Sequence, residues 1–148
     1  MARTKAEFRA LREMVGLSQS DLAGEMGVTT RSVKRWEDDG AEWHNPPQDA
    51  WDALDAYLMT QDQMVAEVAE EVRATVRDAG RVPDAVAITY YKSQEQFDAL
   101  GRDEGCYGIA NANARALASA LRREGVRVEF RYPGEGAVPT PGSRYGGA

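Results

Sequence analysis

Arg31, Lys34 and Arg35 place three cations within five residues, and the chemistry open to such a group is the pairing of anions. Around them, residues 1–36 carry seven Lys or Arg against four Asp or Glu, a net of +3. Residues 37–80 carry two against twelve, a net of −10, and residues 81–148 carry nine against eight, a net of +1. The total of −6 therefore hides a basic head on an acidic rod, which suits a chain that offers one end to phosphate. Other chemistries lack their residues. His44 is the single histidine and Cys106 the single cysteine, so neither an internal disulfide nor a Cys/His zinc set is expected. Cys106 reads as a small packed side chain, since no His or Lys pair argues for an activated thiol. No nucleophile motif or phosphate-cradling glycine loop occurs, and the glycines of residues 101–108 follow no strand. No enzyme, cofactor or metal is expected.

The cations need a helix to carry them and others to hold it. Phe8, Leu11 and Val15 recur at helical spacing over residues 5–16, with Gly16 as a stop. Ser18, with Asp21 three residues on, reads as the N-cap and partner carboxylate of a second helix running through Leu22, Ala23 and Met26 to Gly27. Thr29 caps a third, with Val33 and Trp36 inward and an end near residues 38–40; the loop 41–47 closes the module. On a helix-turn-helix template beginning at Gln19, Leu22, Met26, Val28, Val33 and Trp36 take buried positions. Ala23 is the small residue where two helices cross, and Gly27 supplies the positive φ of the turn. Trp36 and Trp51 read as core.

Leu17-Ser18-Gln19-Ser20-Asp21-Leu22-Ala23 and Gly27-Val28-Thr29-Thr30-Arg31-Ser32-Val33-Lys34-Arg35-Trp36-Glu37 resemble the Cro/repressor-type (XRE) helix-turn-helix superfamily, over residues 5–58. The resemblance implies that the start of the third helix enters the major groove of double-stranded DNA, with Thr30, Arg31, Lys34 and Arg35 reading bases. Arg31 leads, because its guanidinium fork can bond guanine O6 and N7 together, a pairing worth roughly 1–3 kcal/mol of discrimination; Arg35, one turn on, is second. Ser18 and Gln19 would meet a phosphate at the second helix's N-terminus, where free N–H groups and the helix dipole favour an anion. Thr29 and Arg12 are further phosphate candidates, with Lys34 and Arg3. The loop 41–47 is longer than the superfamily's usual turn, which leaves Trp43, His44 and Asn45 without an assigned role. In the plainer alternative, Arg31, Lys34 and Arg35 are the solvated face of a three-helix core. RNA stays open as the polymer, since a basic helix serves either.

Beyond Pro46 and Pro47, a helical pattern spans residues 48–79, with Trp51, Leu54, Leu58, Val65, Val68, Val72 and Val76 on one stripe. As heptads, Trp51, Leu58, Val65 and Val72 fill one seam position and Leu54, Gln61, Val68 and Thr75 the other. The two polar members leave a coiled coil and packing on the next domain as equal options. Strand-like alternation follows over residues 86–91. Ser93 with Gln96 forms a second capping box before Phe97 and Leu100, an alanine-rich helix covers residues 108–124 up to Gly125, and a strand covers residues 126–132. The expected fold is mostly α: a helix-turn-helix DNA-binding domain over 1–58, a connecting helix over 59–80, an α/β dimerisation domain over 81–132, and a disordered Gly/Pro-rich tail over 133–148.

The order strand, helix, helix, strand, carried by Tyr90-Tyr91-Lys92, by Phe97 and by Glu124-Gly125, resembles the C-terminal region of YdiL-like, anti-CRISPR-associated (Aca) regulators. That resemblance implies a homodimerisation domain in a small phage or prophage repressor that controls its own operon. Physics points separately to a dimer, because a two-stranded sheet is marginal alone and its edge invites a second copy. A symmetric dimer requires an inverted-repeat operator with half-sites about one helical turn, roughly 34 Å, apart or a multiple of it. Two alternatives stand beside this: an antitoxin whose C-terminal half blocks a partner toxin, and a small-ligand sensor using Tyr90, Tyr91, Asn111 and Asn113. No leader pattern and no apolar run of about 18 residues occur, so a cytoplasmic, nucleoid-associated protein with no membrane partner is expected.

Overall fold

Short-range caps set the first half of the chain. In the computed structural model, which describes residues 3–100 and 104–134, helix α1 (Lys5–Val15) starts where the Thr4 hydroxyl accepts the Glu7 N–H and stops at Gly16, at φ 91°. Helix α2 (Gln19–Met26) carries the full capping box: Asp21 N–H donates to Ser18 Oγ at 2.9 Å, and Ser18 N–H donates back to Asp21 Oδ2 at 3.3 Å. It ends at Gly27, φ 68°, with Val28 N–H on Ala23 O at 2.9 Å. Helix α3 (Thr30–Glu37) is capped by Thr29, whose Oγ1 accepts the Ser32 N–H at 3.2 Å. Such caps contribute about 1 kcal/mol each.

Long helix α4 (Gln48–Ala79) follows, then strand β1 (Val86–Thr89), helices α5 (Gln94–Leu100) and α6 (Tyr107–Arg123), and strand β2 (Val128–Arg131). The fold is mostly helical, with a helix-turn-helix at the N-terminal end, a long helix and a small strand pair, as the sequence pattern requires. Of the tail expected over 133–148, residues 135–148 lie outside the described residues, as do 101–103 of the loop before α6.

Contacts divide the chain into two compact units, Met1–Thr60 and Gln61–Ala148. In the first, Phe8 is fully buried and meets Trp36 and Trp51 edge-on at centroid distances of 6.0 and 5.0 Å. Burying one such side chain stabilises by about 1.5–3 kcal/mol. Leu22, Val33 and Leu54 close this core. Two template positions differ from expectation. Met26 is half-buried and Val28 is 37% exposed, because Val28 closes the turn through its backbone and leaves its side chain at the rim.

The second unit is built on a parallel pair, with Val86 beside Val128 and Ile88 beside Phe130. Parallel strands need a long crossover, which α5 and α6 supply. Residues 59–80, expected as a connector, contribute Met64, Val68 and Val72 to this unit's core, packed with Ile88, Leu117, Leu121 and Val126. The second half of the apolar stripe is packed within this unit, while Trp51 and Leu54 belong to the first unit's core. The polar seam residue Gln61 is buried as well, its Nε2 donating to Asn113 Oδ1 at 3.3 Å. Both strands are shorter than their alternating patterns. Asn111 holds the Tyr91 backbone from α6, accepting its N–H at 2.9 Å and donating to its carbonyl at 2.8 Å, and Val126 N–H caps α6 on Leu121 O at 3.0 Å. Asn111 and Asn113, the ligand-sensor candidates, are thus buried and bonded within the fold.

Candidate nucleic-acid interface

Val33 and Trp36, 0% and 8% exposed, turn one stripe of α3 inward. At 3.6 residues per turn, Arg31, Lys34 and Arg35 must then emerge on the opposite side with Thr30 on the flank. The burial agrees: Arg31 and Lys34 are exposed, and Thr30 and Arg35 are half-buried. Among the described residues, these three cations form no ion pair with a carboxylate, whereas the other basic residues of the first unit are engaged. Arg3 forks onto Asp55 at 2.7 and 2.8 Å and stacks over Trp51, with its Cζ 4.4 Å from the ring centroid. Arg9 meets Glu13 at 2.8 Å. Lys5 Nζ donates to two carbonyls, Arg35 O at 2.8 Å and His44 O at 2.6 Å.

Arg12 is the correction. Expected on phosphate, it is 7% exposed, with Nε and Nη2 donating to Glu37 at 2.6 and 2.8 Å and Nη1 donating to Leu17 O at 2.9 Å. A guanidinium so placed has its fork filled by protein acceptors and its charge neutralised in the interior, so it is withdrawn from the contact set.

The rest of the phosphate set lies at two helix starts. Ser18 is exposed, but its hydroxyl is occupied as the cap and the Asp21 carboxylate already stands over this end, which makes it a poorer place for a second anion than a bare N-terminus. Gln19 is half-buried, its Nε2 donating to Glu37 Oε1 at 3.2 Å. Thr29 is exposed at the start of α3, whose first turn holds no acidic residue, so the dipole there stays open to an anion.

Two positioning residues escaped the sequence reading. Glu37 gathers Arg12 from α1 and Gln19 from α2 onto the end of α3, and Lys5 ties the C-terminal carbonyls of α3 and the following loop to α1. No local pattern marks either, because their partners lie 18 to 39 residues away. In the loop, Trp43 is 92% exposed. No helix among the described residues is long and apolar enough to cross a membrane, and no cluster of potential metal ligands occurs among them.

No curated protein matches the chain. Residues 6–68 match the family model described as a helix-turn-helix domain, a span that takes in all but the first residue of α1, the whole of α2 and α3, and α4 as far as Val68. Capped second helix, left-handed glycine turn, anchored third helix and family match agree, and the N-terminal part of this chain is a helix-turn-helix domain.

Proposed function

We propose that the protein is a sequence-specific DNA-binding transcriptional repressor of a phage or mobile element, acting as a homodimer on an inverted repeat within the operon that holds its own gene. One observation carries this reading: on the exposed side of α3, Arg31, Lys34 and Arg35 are left without carboxylate partners while Arg3, Arg9 and Arg12 are all neutralised within the first unit. Three uncompensated cations on a rigid helix repel one another, and a polyanion relieves that cost. Arg31 and Arg35 supply guanidinium forks for base edges, Thr30 flanks them, and Lys34 is a point charge for phosphate. Repression follows from occupying promoter DNA.

The test is a titration of the purified protein against DNA from upstream of its own gene, random duplex and a matching RNA, at several salt concentrations. The expected result is tighter binding to the upstream duplex, with an affinity that falls as salt rises. Equal affinity for every duplex, or preference for the RNA, overturns the reading. A one-to-one complex with a second protein on purification from the native host assigns the second unit to an antitoxin role instead.

A further inference from the structure

The outer edge of β2 bears a sequence complementary to itself. Val86 N–H donates to Arg127 O and Tyr90 N–H donates to Arg131 O, both at 2.9 Å, so the odd-numbered carbonyls of β2 turn onto β1. Backbone groups alternate along a strand, so Val128 and Phe130 direct theirs to the opposite edge, where the sheet has no third strand among the described residues. The apolar face also outruns its helical cover. Ile88 is fully buried and Val128 is 8% exposed, but Phe130 is 40% and Tyr132 43% exposed. Phe130 meets Tyr90 at a centroid distance of 5.3 Å, and a cavity of about 260 Å³ opens beside them.

We propose that a second copy of this chain covers the edge by antiparallel pairing of β2 with β2, centred on Phe130. This rests on the homodimer reading and adds its register. An isologous antiparallel pair places one residue on the two-fold axis, and candidate registers differ only in which residue that is. With Phe130 on the axis, Glu129 of each copy stands opposite Arg131 of the other, the two Phe130 rings meet, and Val128 faces Tyr132. With Glu129 on the axis, carboxylate meets carboxylate and Arg127 meets Arg131. With Arg131 there, arginine meets arginine. Like charges directly opposite destabilise a strand pair, whereas opposite charges support it. Centring on Val128 needs the Val126 N–H, which already caps α6 on Leu121 O. Backbone direction, charge and the aromatic patch select one register, and the product is a four-stranded sheet in the order β1-β2-β2-β1.

The test uses full-length protein in sedimentation equilibrium. Glu129→Arg and Arg131→Glu should each weaken dimerisation on the order of tenfold, since each sets like charges opposite one another twice per dimer. An equimolar mixture should form heterodimers of wild-type affinity, because each variant offers the charge the other lacks. Recovery cannot come from the intramolecular Arg131 to Glu129 bond of 2.7 Å, which both variants have lost. In a Cys106→Ser background, Glu129→Cys mixed with Arg131→Cys should form an interchain disulfide that neither forms alone. Wild-type-like dimers from both charge variants, without cross-linking, overturn the register while leaving the dimer standing. A wild-type protein that sediments as a monomer at micromolar concentrations overturns the dimer and this inference together.

Discussion

Glu37→Ala removes three hydrogen bonds in one step, those from Arg12 Nε and Nη2 and from Gln19 Nε2. The Arg12 side chain, 8% exposed, would keep only Leu17 O at 2.9 Å and a distant carboxylate, Glu13 at 3.8 Å. Stranding one member of a buried ion pair costs about 3–5 kcal/mol, and the residual contact with Glu13 places this case toward the lower end. A unit of about 60 residues, at roughly 0.05–0.15 kcal/mol per residue, holds about 3–9 kcal/mol in all, so the variant should sit close to unfolding at room temperature. Removing both charges is different. Arg12→Met with Glu37→Leu leaves no orphaned ion, and the double variant should lie within about 2 kcal/mol of wild type, well above Glu37→Ala. Trp36, Trp43 and Trp51 all belong to the first unit, so tryptophan fluorescence in a urea titration reads that unit alone. At a slope of about 1 kcal/mol per molar urea, a loss of roughly 3 kcal/mol moves the midpoint by about 3 M. A shift below about 1 M for Glu37→Ala, or a double variant less stable than either single, would refute the claim that this pair is a buried lock between helices.

Arg31→Ala should weaken operator binding by about 1–3 kcal/mol while leaving the urea midpoint unchanged; unaltered affinity and specificity would remove Arg31 from the base readers. Lys34→Ala should weaken specific and random duplex by similar factors and reduce the salt slope by about one, and a loss confined to the operator contradicts a phosphate role. The Arg3 guanidinium, hydrogen-bonded to Asp55, holds that carboxyl below its usual range against a smaller opposing effect of burial. A depressed carboxyl contributes stability that is complete above about pH 4 and is lost as pH falls through its folded value, so Asp55→Asn should flatten the acid limb of the first unit's melting curve; an unchanged acid limb counts against the linkage. Asn111→Leu removes the side chain that holds both polar groups of the Tyr91 backbone in the interior and should destabilise the second unit by roughly 2 kcal/mol or more in thermal circular dichroism, whereas a near-neutral result would mean those groups find other partners.

The sequence discloses what is decided within a few residues. Ser18 with Asp21, Gly27 and Thr29 are local devices, and they fix the ends of α2 and α3 where the pattern puts them. The bounds of α4 follow in the same way from an unbroken period after two prolines. What stays hidden is which partner a face finds. Arg12 shares its helix with Arg9, yet Arg12 falls on the inward stripe with Phe8, Leu11 and Val15, and the carboxylate that lets its charge stay there, Glu37, is 25 residues on. The same holds for the second half of α4, which reads as a connector until β1 and α6 are folded against it, and for Asn111, whose polarity suggests surface until the Tyr91 backbone is seen to need it.

A chain of net charge −6 can still present a cationic surface where the acids of the same unit are taken up by other cations. Asp55, Glu13 and Glu37 are occupied by Arg3, Arg9 and Arg12. Asp38, the nearest acid after α3, accepts the Gly40 N–H at 2.9 Å and so is pinned in the turn. From Arg31 to Asp38 is seven residues, about 10 Å along the helix, which is close to one screening length at physiological salt. Lys34, four residues from Asp38, feels that carboxylate more strongly than Arg31 does. Arg31, in the first turn of α3, is therefore the cation farthest along the helix from Asp38, and the helix dipole adds to its field, whereas Lys34 and Arg35 lie in the last turn. If the protein binds DNA as proposed, the excess of acid further along the chain disfavours polyanions on its other surfaces, so the negative total would assist discrimination.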